Sequence, residues 1–411
     1  MIVLAGGDLV LPGQILPNAA LLIDGGRIAA IEPYARVDAA GATIIQAPNC
    51  YVVPGFIDVH VHGVDGWDTL DENDAVARIA SRLPRYGVTA FCPTTVACTP
   101  AALRTVLAKV AEARAERLVK SARVLPAHLE SNFINPDYRG AQPLECLRQP
   151  LDQAADRAGE FSAQDILDVI ANAGPDVGIV TLAPELPGGV ELIQALVTAG
   201  TRVSLGHSGA TLDEAMAAID AGARHATHLF NRMTPMTHHA PGLAGAVLAR
   251  DGVAAELICD GFHVHPAMSR IAIASKGVDR VMAVTDGTAG AGLAVGSRAH
   301  LGGWPIRVTE HAAVLDDGTV AGSCLTMDRA FRVIATTFGL PVTDAAMLCS
   351  TTPARELGLT GCGVLAEGAI ADVVVLDRSF EVLHTFIEGE EVYRRGARSD
   401  PKDAQRPVPF R

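Results

Sequence analysis

Two histidines one residue apart, His60 and His62, follow the largely apolar run 51–59. In a strand, residues two apart point to the same face, so both imidazoles converge on one point at the strand's end. Two neutral imidazoles aimed at one point suit a divalent transition metal. Further along, Glu130, His207, His228, His263 and Asp286 each end, sit in or follow a strand-like run. Taken one at a time, each has an ordinary explanation. Glu130 reads as a solvated carboxylate, His207 as a helix cap beside Ser208, His228 as a satisfied core histidine, His263 as a loop residue, and Asp286 as the start of a turn with Gly287. Jointly those explanations are poor, because unrelated residues would not all choose strand termini on one side of a fold.

The elements that must position these groups alternate. Apolar runs predict strands over 51–59, 87–94, 123–129, 177–183, 201–206, 225–230, 254–259 and 281–285, with helical patterns between them, among them 101–119, 162–173, 212–221 and 266–276. Eight such alternations over about 300 residues fit an α/β fold, a (β/α)₈ TIM-like barrel, whose active residues project from the C-terminal strand ends. A doubly wound open sheet is the second choice, and no G-x-G-x-x-G follows the first strand to support its dinucleotide-binding form. The ends of the chain differ from the middle. Asp24-Gly25-Gly26-Arg27, between apolar runs 19–23 and 28–31, predicts a hairpin. Residues 373–376 predict a buried strand and 385–393 a second hairpin. These patterns predict one small β-sandwich domain built from 1–53 and 363–411 around a barrel over 54–362, with 399–411 as a surface tail.

Composition narrows the partners. The 411 residues carry a net charge of −13, with 49% hydrophobic and 19% charged residues. The apolar content argues against disorder. The acidic balance argues against nucleic acid and anionic membranes as partners, but not against an anionic small molecule held by local cations. Asp8 and Pro12 interrupt any leader-like apolar stretch, and no run of eighteen apolar residues occurs. Eight scattered cysteines without a Cys-x-x-Cys read as reduced thiols. The expected location is the cytoplasm. Of the other histidines, His128 reads as a support behind the metal ligands. His225, His238 and His265 read as structural or loop residues, and His300, His311 and His384 as surface residues.

Several ordered motifs extend this reading. They are Pro54-Gly55-Phe56-Ile57-Asp58-Val59-His60-Val61-His62-Gly63, His128-Leu129-Glu130, Leu205-Gly206-His207-Ser208, Thr227-His228-Leu229-Phe230-Asn231 and Pro241-Gly242-Leu243-Ala244-Gly245. Asp260-Gly261-Phe262-His263-Val264, Thr285-Asp286-Gly287, Gly322-Ser323-Cys324-Leu325-Thr326-Met327 and Gly368-Ala369-Ile370-Ala371-Asp372 follow. On these motifs, nearly the whole chain resembles the amidohydrolase superfamily and, within it, the N-acetylglucosamine-6-phosphate deacetylase family. The resemblance implies a metal held by Glu130, His207 and His228, with Asp286 as general base and acid. His60 and His62, absent from some members, add a second cation position that Glu130 would bridge. The implied cofactor is a divalent metal, one or two per subunit, foremost Zn2+ with Fe2+, Mn2+ or Co2+ also compatible. The implied reaction is hydrolysis of the N-acetyl group of an amino sugar, foremost N-acetylglucosamine-6-phosphate, in a homodimer. A bound divalent ion lowers the pKa of its water. Asp286 would take the proton and return it to the leaving amine, and His263 would stabilise the oxyanion.

The sequence departs from the family around the substrate. Asn231 matches a phosphate-binding asparagine, but Arg232 replaces a small residue, and His239 replaces an arginine that in relatives crosses a dimer interface. Histidine makes no bidentate guanidinium contact, and Arg232 is the candidate to compensate. Ser131-Asn132 replaces Gly-Pro, and Gly140-Ala141-Gln142 replaces a Gly-Ala-His pattern that contacts sugar, so Ala141 and Gln142 join Asn231, Arg232, His239 and His263 as expected substrate contacts. These changes keep a second substrate reading open: N-acetylgalactosamine-6-phosphate, an unphosphorylated amino sugar or another N-acyl compound. A cyclic amidohydrolase is disfavoured, because Leu182-Ala183-Pro184-Glu185 ends strand four without the expected lysine. A non-catalytic scaffold is disfavoured by the intact ligand set.

Overall fold

The computed structural model describes residues 1–36, 41–151 and 161–397, so the expected tail at 399–411 lies outside the described residues. Eight strands in the middle of the chain pair in parallel, each with the next: Phe56–Val61, Val88–Thr95, Ala127–Glu130, Val177–Leu182, Arg202–Leu205, His225–Ala226, Ala254–Ile258 and Val281–Val284. The first and eighth meet at their ends. Asp286 N donates to His60 O at 3.0 Å, and His62 N donates to Gly287 O at 2.8 Å. This is the (β/α)₈ barrel that the alternation predicts.

Helices fill the crossovers, and their sequences show why they start where they do. Ser162 and Asp165 form a capping box at Ala163–Ala173, and Thr211 and Glu214 form another at Leu212–Asp220. Pro100–Ala115 starts at Thr99, whose side chain accepts from Ala102 N, and buries Leu103, Val106, Leu107 and Val110 at helical spacing. His265 caps Pro266–Lys276.

The second sheet takes strands from both ends of the chain, in the order 390–394, 382–387, 373–376, 51–54, 2–11, 14–24 and 27–33, with 43–46 also paired to 2–11. The expected hairpins are there, with Asp24 opposite Arg27 and Ile387 opposite Glu390. Side-chain alternation ties this sheet to the barrel. Val373 and Val375 pack with Leu4, Leu9, Leu21, Val52 and Phe386, whereas Val374 and Leu376 belong to the barrel core with Val53 and Phe56.

Three predicted strands are shorter or broken. The run 51–59 is two strands. Tyr51–Pro54 pairs antiparallel with Val373–Leu376, and Phe56–Val61 enters the barrel. Gly55 makes the change of partner, its N–H going to Asp372 O at 2.9 Å while Phe56 N donates to Gly87 O at 3.0 Å. The run 123–129 breaks at Leu125-Pro126, since proline lacks the donor a ladder needs. The run 225–230 is a strand only at His225–Ala226, because His228 (φ 29°) and Phe230 (φ 75°) turn the backbone left-handed. A three-stranded sheet that the sequence did not announce, Arg298–Leu301, Trp304–Val308 and Ala313–Leu315, packs on Val96 and Ala289.

A Cβ on Gly55 would lie 2.3 Å from Thr89 Oγ1 and 2.4 Å from Thr89 Cγ2, both on a buried barrel strand. Gly55→Ala is therefore expected to destabilise the protein by about 1–3 kcal/mol, the scale of core overpacking. Thermal unfolding measures it, with Gly252→Ala as the control, because nothing lies within 4 Å of that added Cβ. Equal midpoints for the two variants would remove Gly55 from this role.

Candidate metal centre

Strand ends bring the predicted groups to one mouth of the barrel. His60 and His62, two apart at the end of the first strand, place their Nε2 atoms 3.2 Å from each other. Asp286, after the eighth strand, puts Oδ1 3.3 Å from His60 Nε2 and 3.2 Å from His62 Nε2. Glu130 closes the third strand. Its Oε1 lies 2.7 Å from His207 Nε2 and 2.9 Å from His228 Nε2, and those two nitrogens are 3.1 Å apart. Its Oε2 lies 3.5 Å from His62 Nε2, so one carboxylate faces both groups. His207 (φ 47°), His228 (φ 29°) and Asp286 (φ 48°) all hold left-handed backbone. Such strain, about 1–3 kcal/mol per residue, persists where surrounding structure enforces it. Here it turns three side chains inward straight after their strands.

The donor set suits a cation. His207 Nδ1 donates to Tyr138 O at 2.8 Å, and His60 Nδ1 donates to Glu256 Oε2 at 2.9 Å. A neutral ring so engaged presents only a lone pair at Nε2. Those lone pairs point at carboxylate oxygens and at other ring nitrogens, which are acceptors too. Acceptors that close together need a positive centre between them. The two triads, His60 with His62 and Asp286, and Glu130 with His207 and His228, are each within reach of one ion. A third group, His60, His128 and Glu256, also meets the distance condition. It is already internally bonded, since His128 Nδ1 donates to Val59 O at 2.9 Å and its Nε2 meets Thr181 Oγ1 at 2.8 Å.

Electrostatics show the same need for positive charge at this point, met here by protons on the rings. Burial works to raise the Glu130 pKa, but the rings of His207, His228 and His62 reverse this and hold it well below the ordinary carboxylate value. Asp286 is lowered in the same way, burial being outweighed by His60 and His62. Burial opposes charge on His62, yet the carboxylates of Asp286 and Glu130 push it up to about 10. His128, with burial dominant, is lowered to about 4 and so is a neutral interior support.

These groups open on a cavity of about 530 Å³. His62, Glu130, His207, His228, His263 and Asp286 line it, with Ala141, Gln142, Asn231 and Arg232. His60 is fully buried behind them. His263 Nδ1 lies 2.5 Å from Asp260 Oδ2, and its buried Nε2 has no hydrogen-bond partner among the described residues. Gln142 meets Glu130 rather than presenting a free amide: its Nε2 donates to Glu130 Oε2 and its Oε1 accepts from Ala97 N. His239 is exposed, lies against His238 with ring centroids 4.0 Å apart and planes tilted by 42°, and is not among the cavity-lining residues. Ser131 and Asn132 do not line the cavity either. Ser131 donates to Thr181 O, and Asn132 to the carbonyls of Cys98 and Cys146, so both hold loops in place.

Other expectations sort as follows. His300, read as a surface residue, is buried, because it sits on a strand of the three-stranded sheet and turns its Nε2 to within 2.5 Å of Asp71 Oδ1. His384 is half-buried, with Nδ1 2.6 Å from Glu391 Oε1, and His311 is exposed and stacked on Phe262. All eight cysteines are free thiols. No described helix is long and apolar enough to cross a membrane.

Four supporting residues escaped the sequence reading. Glu256 orients His60, Tyr138 orients His207 through its carbonyl, and Asp260 orients His263. Glu185 accepts from Ser208 Oγ at 2.7 Å and Gly209 N at 2.6 Å, fixing the turn after His207. Glu256 did leave a signal: it is a lone charge inside the buried run Ala254–Ile258, and a fully buried carboxylate demands a partner.

Comparison with known proteins agrees with this geometry. The model of the Amidohydrolase family matches residues 51–392. N-acetylglucosamine-6-phosphate deacetylase of Bacillus subtilis (strain 168) is 34% identical over 392 residues, 93% of this chain and 94% of the relative. N-acetylgalactosamine-6-phosphate deacetylase of Escherichia coli O157:H7 is 34% identical over 378 residues, 91% of this chain and 95% of the relative. Among solved structures, a variant N-acetyl-D-glucosamine-6-phosphate deacetylase from Mycobacterium smegmatis in complex with N-acetyl-D-glucosamine-6-phosphate superimposes with a TM-score of 0.84 at 32% identity, covering 95% of this chain and 99% of that one.

Proposed function

Because the chain belongs to the Amidohydrolase family, we propose that it removes the N-acetyl group from a phosphorylated amino sugar, foremost N-acetylglucosamine-6-phosphate, giving acetate and the free amine. The observation that carries this reading is the convergence of Glu130, His207 and His228 beside Asp286 at the floor of one cavity. In this reading residues 54–362 are the hydrolase unit and 1–53 with 363–411 the flanking β unit. The metal is foremost zinc, the assembly a homodimer, and the location cytoplasmic.

A divalent ion held by Glu130, His207 and His228 would acidify a water and polarise the acetamide carbonyl. The remaining work belongs to side chains. Asp286, held ionised, accepts the attacking water's proton and delivers it to the nitrogen as the C–N bond breaks. Asp260 holds the His263 ring through Nδ1, which leaves Nε2 facing the site without a partner among the described residues. His263 is the group placed to serve the oxyanion. Asn231 and Ala141 flank the sugar.

Among the described residues Arg232 is the single arginine or lysine lining the cavity, and its guanidinium has no hydrogen-bond or ion-pair partner there. Its Nε lies 2.7 Å from where a Cβ on Gly140 would sit, so glycine there leaves room for it. Arg232 is the phosphate-binding residue in this reading. A second reading, N-acetylgalactosamine-6-phosphate, is favoured by the Escherichia coli O157:H7 relative, which is as similar as the Bacillus subtilis one.

A hydrolysis panel of both N-acetylhexosamine-6-phosphates and their unphosphorylated sugars tests the proposal. The phosphorylated sugars are expected to be preferred. Arg232→Met should raise KM for them by about 10–100-fold, the scale of a hydrogen-bonded charge contact, with kcat little changed. A wild-type enzyme indifferent to the phosphate would overturn the assignment.

A further inference from the structure

The two triads are not equivalent, and the difference lies in Gln142. Its amide is fixed at both ends: Oε1 accepts from Ala97 N at 2.7 Å, and Nε2 donates to Glu130 Oε2. The reverse orientation would set a carbonyl oxygen against a carboxylate and an NH₂ against an N–H, so the hydrogen bonds determine which end is which. Ala97 follows the barrel strand Val88–Thr95, so the anchor is rigid, and Gln142 is itself buried.

We propose that Gln142 is a positioning residue that ranks the two cation sites by occupying one oxygen of the carboxylate they share. Oε1 of Glu130 faces His207 and His228 at 2.7 and 2.9 Å, with His60 Nε2 farther off at 4.0 Å, and among the described residues no amide donates to it. Oε2, the oxygen nearer His62, already accepts the Gln142 N–H. The His207–His228 site therefore has a carboxylate oxygen to itself. The His60–His62 site has the Asp286 carboxylate, but it reaches a Glu130 oxygen only by sharing it with an amide that competes for the same electron density. The first site fills before the second, and Gln142 sets the gap. The inference rests on the metal-dependent reading above and adds the order of filling to it.

The test is a titration of the metal-free, full-length protein with Zn2+ against a competing chelator, with bound zinc counted after gel filtration. Wild type is expected to bind two equivalents with dissociation constants at least about tenfold apart, the worth of one hydrogen bond to a charged group. Gln142→Met, which removes the donor, should narrow that ratio by about tenfold. Gln142→Leu, of similar size and also without a donor, should narrow the ratio by the same amount. A merely structural role would lower the melting temperature and leave the ratio alone. Two equal sites in wild type, or an unchanged ratio in both variants, would overturn the inference while leaving the deacetylase reading intact. A wild-type chain that takes up no zinc would instead remove the metal-dependent reading itself.

Discussion

Asp286→Asn is expected to lower kcat by about two to four orders of magnitude, the range of general acid–base catalysis. Asparagine keeps the shape of the side chain and the ability of its oxygen to face His60 and His62, now 3.3 and 3.2 Å from Asp286 Oδ1. It cannot accept a proton at that oxygen near neutral pH. Wild-type Asp286 can, because the imidazoles of His60 and His62 outweigh burial and keep it ionised. Glu130, His207 and His228 would hold an ion without Asp286, so the variant should still take up at least one equivalent of metal. Steady-state rates on a phosphorylated amino sugar, with metal content measured in the same preparation, separate loss of a base from loss of an ion. Turnover near the wild-type value would refute the role. KM should move far less than kcat, since Asp286 acts on the reacting atoms.

Glu130→Gln is the more drastic change. Glu130 is buried, its Oε1 is within hydrogen-bonding distance of His207 and His228, and its Oε2 faces His62. The amide removes a negative charge from the middle of four histidines. Metal affinity should fall by more than about 100-fold, beyond the 10–100-fold typical of removing an outer-shell partner. Activity should fall with it and recover in part at high metal concentration. The metal-free variant should also be less stable, because breaking a buried charge pair from one side costs about 3–5 kcal/mol. Metal analysis after dialysis and thermal unfolding of the metal-free form are the measurements. Full metal retention with wild-type turnover would exclude the carboxylate from the centre.

Much of the fold was legible because its signals are local or periodic. The hairpin at Asp24–Arg27 rests on two glycines whose φ values are 55° and 78°, and glycine adopts such values freely. The helices at Ala163–Ala173 and Leu212–Asp220 are announced by their capping boxes. His60 and His62 were legible because a two-residue spacing in a strand fixes a shared face wherever the strand lies. The division of 51–59 was not legible. An apolar run looks the same whether it pairs with Val373–Leu376 or with Val88–Thr95, and the choice depends on how Gly55 fits against Thr89 and on the carbonyl of Asp372. Nor was the burial of His300, which depends on a sheet whose strands are three to five residues long.

By itself the sequence determined the inventory of candidate chemistry: five side chains of metal-ligand type and a carboxylate suited to acid–base work, set at the ends of alternating strands. Residue type and strand period are local properties, and a barrel gathers its C-terminal strand ends at one mouth whatever the loops do. Only the tertiary structure decided which atoms face one another. It gave Glu256 to His60, turned Gln142 onto Glu130, left Arg232 unpaired in the cavity and put His239 outside it. Those pairings join residues up to 196 positions apart, as in His60 with Glu256. Their partners are set by the closing of the sheet and the course of the loops, which no spacing along the chain records.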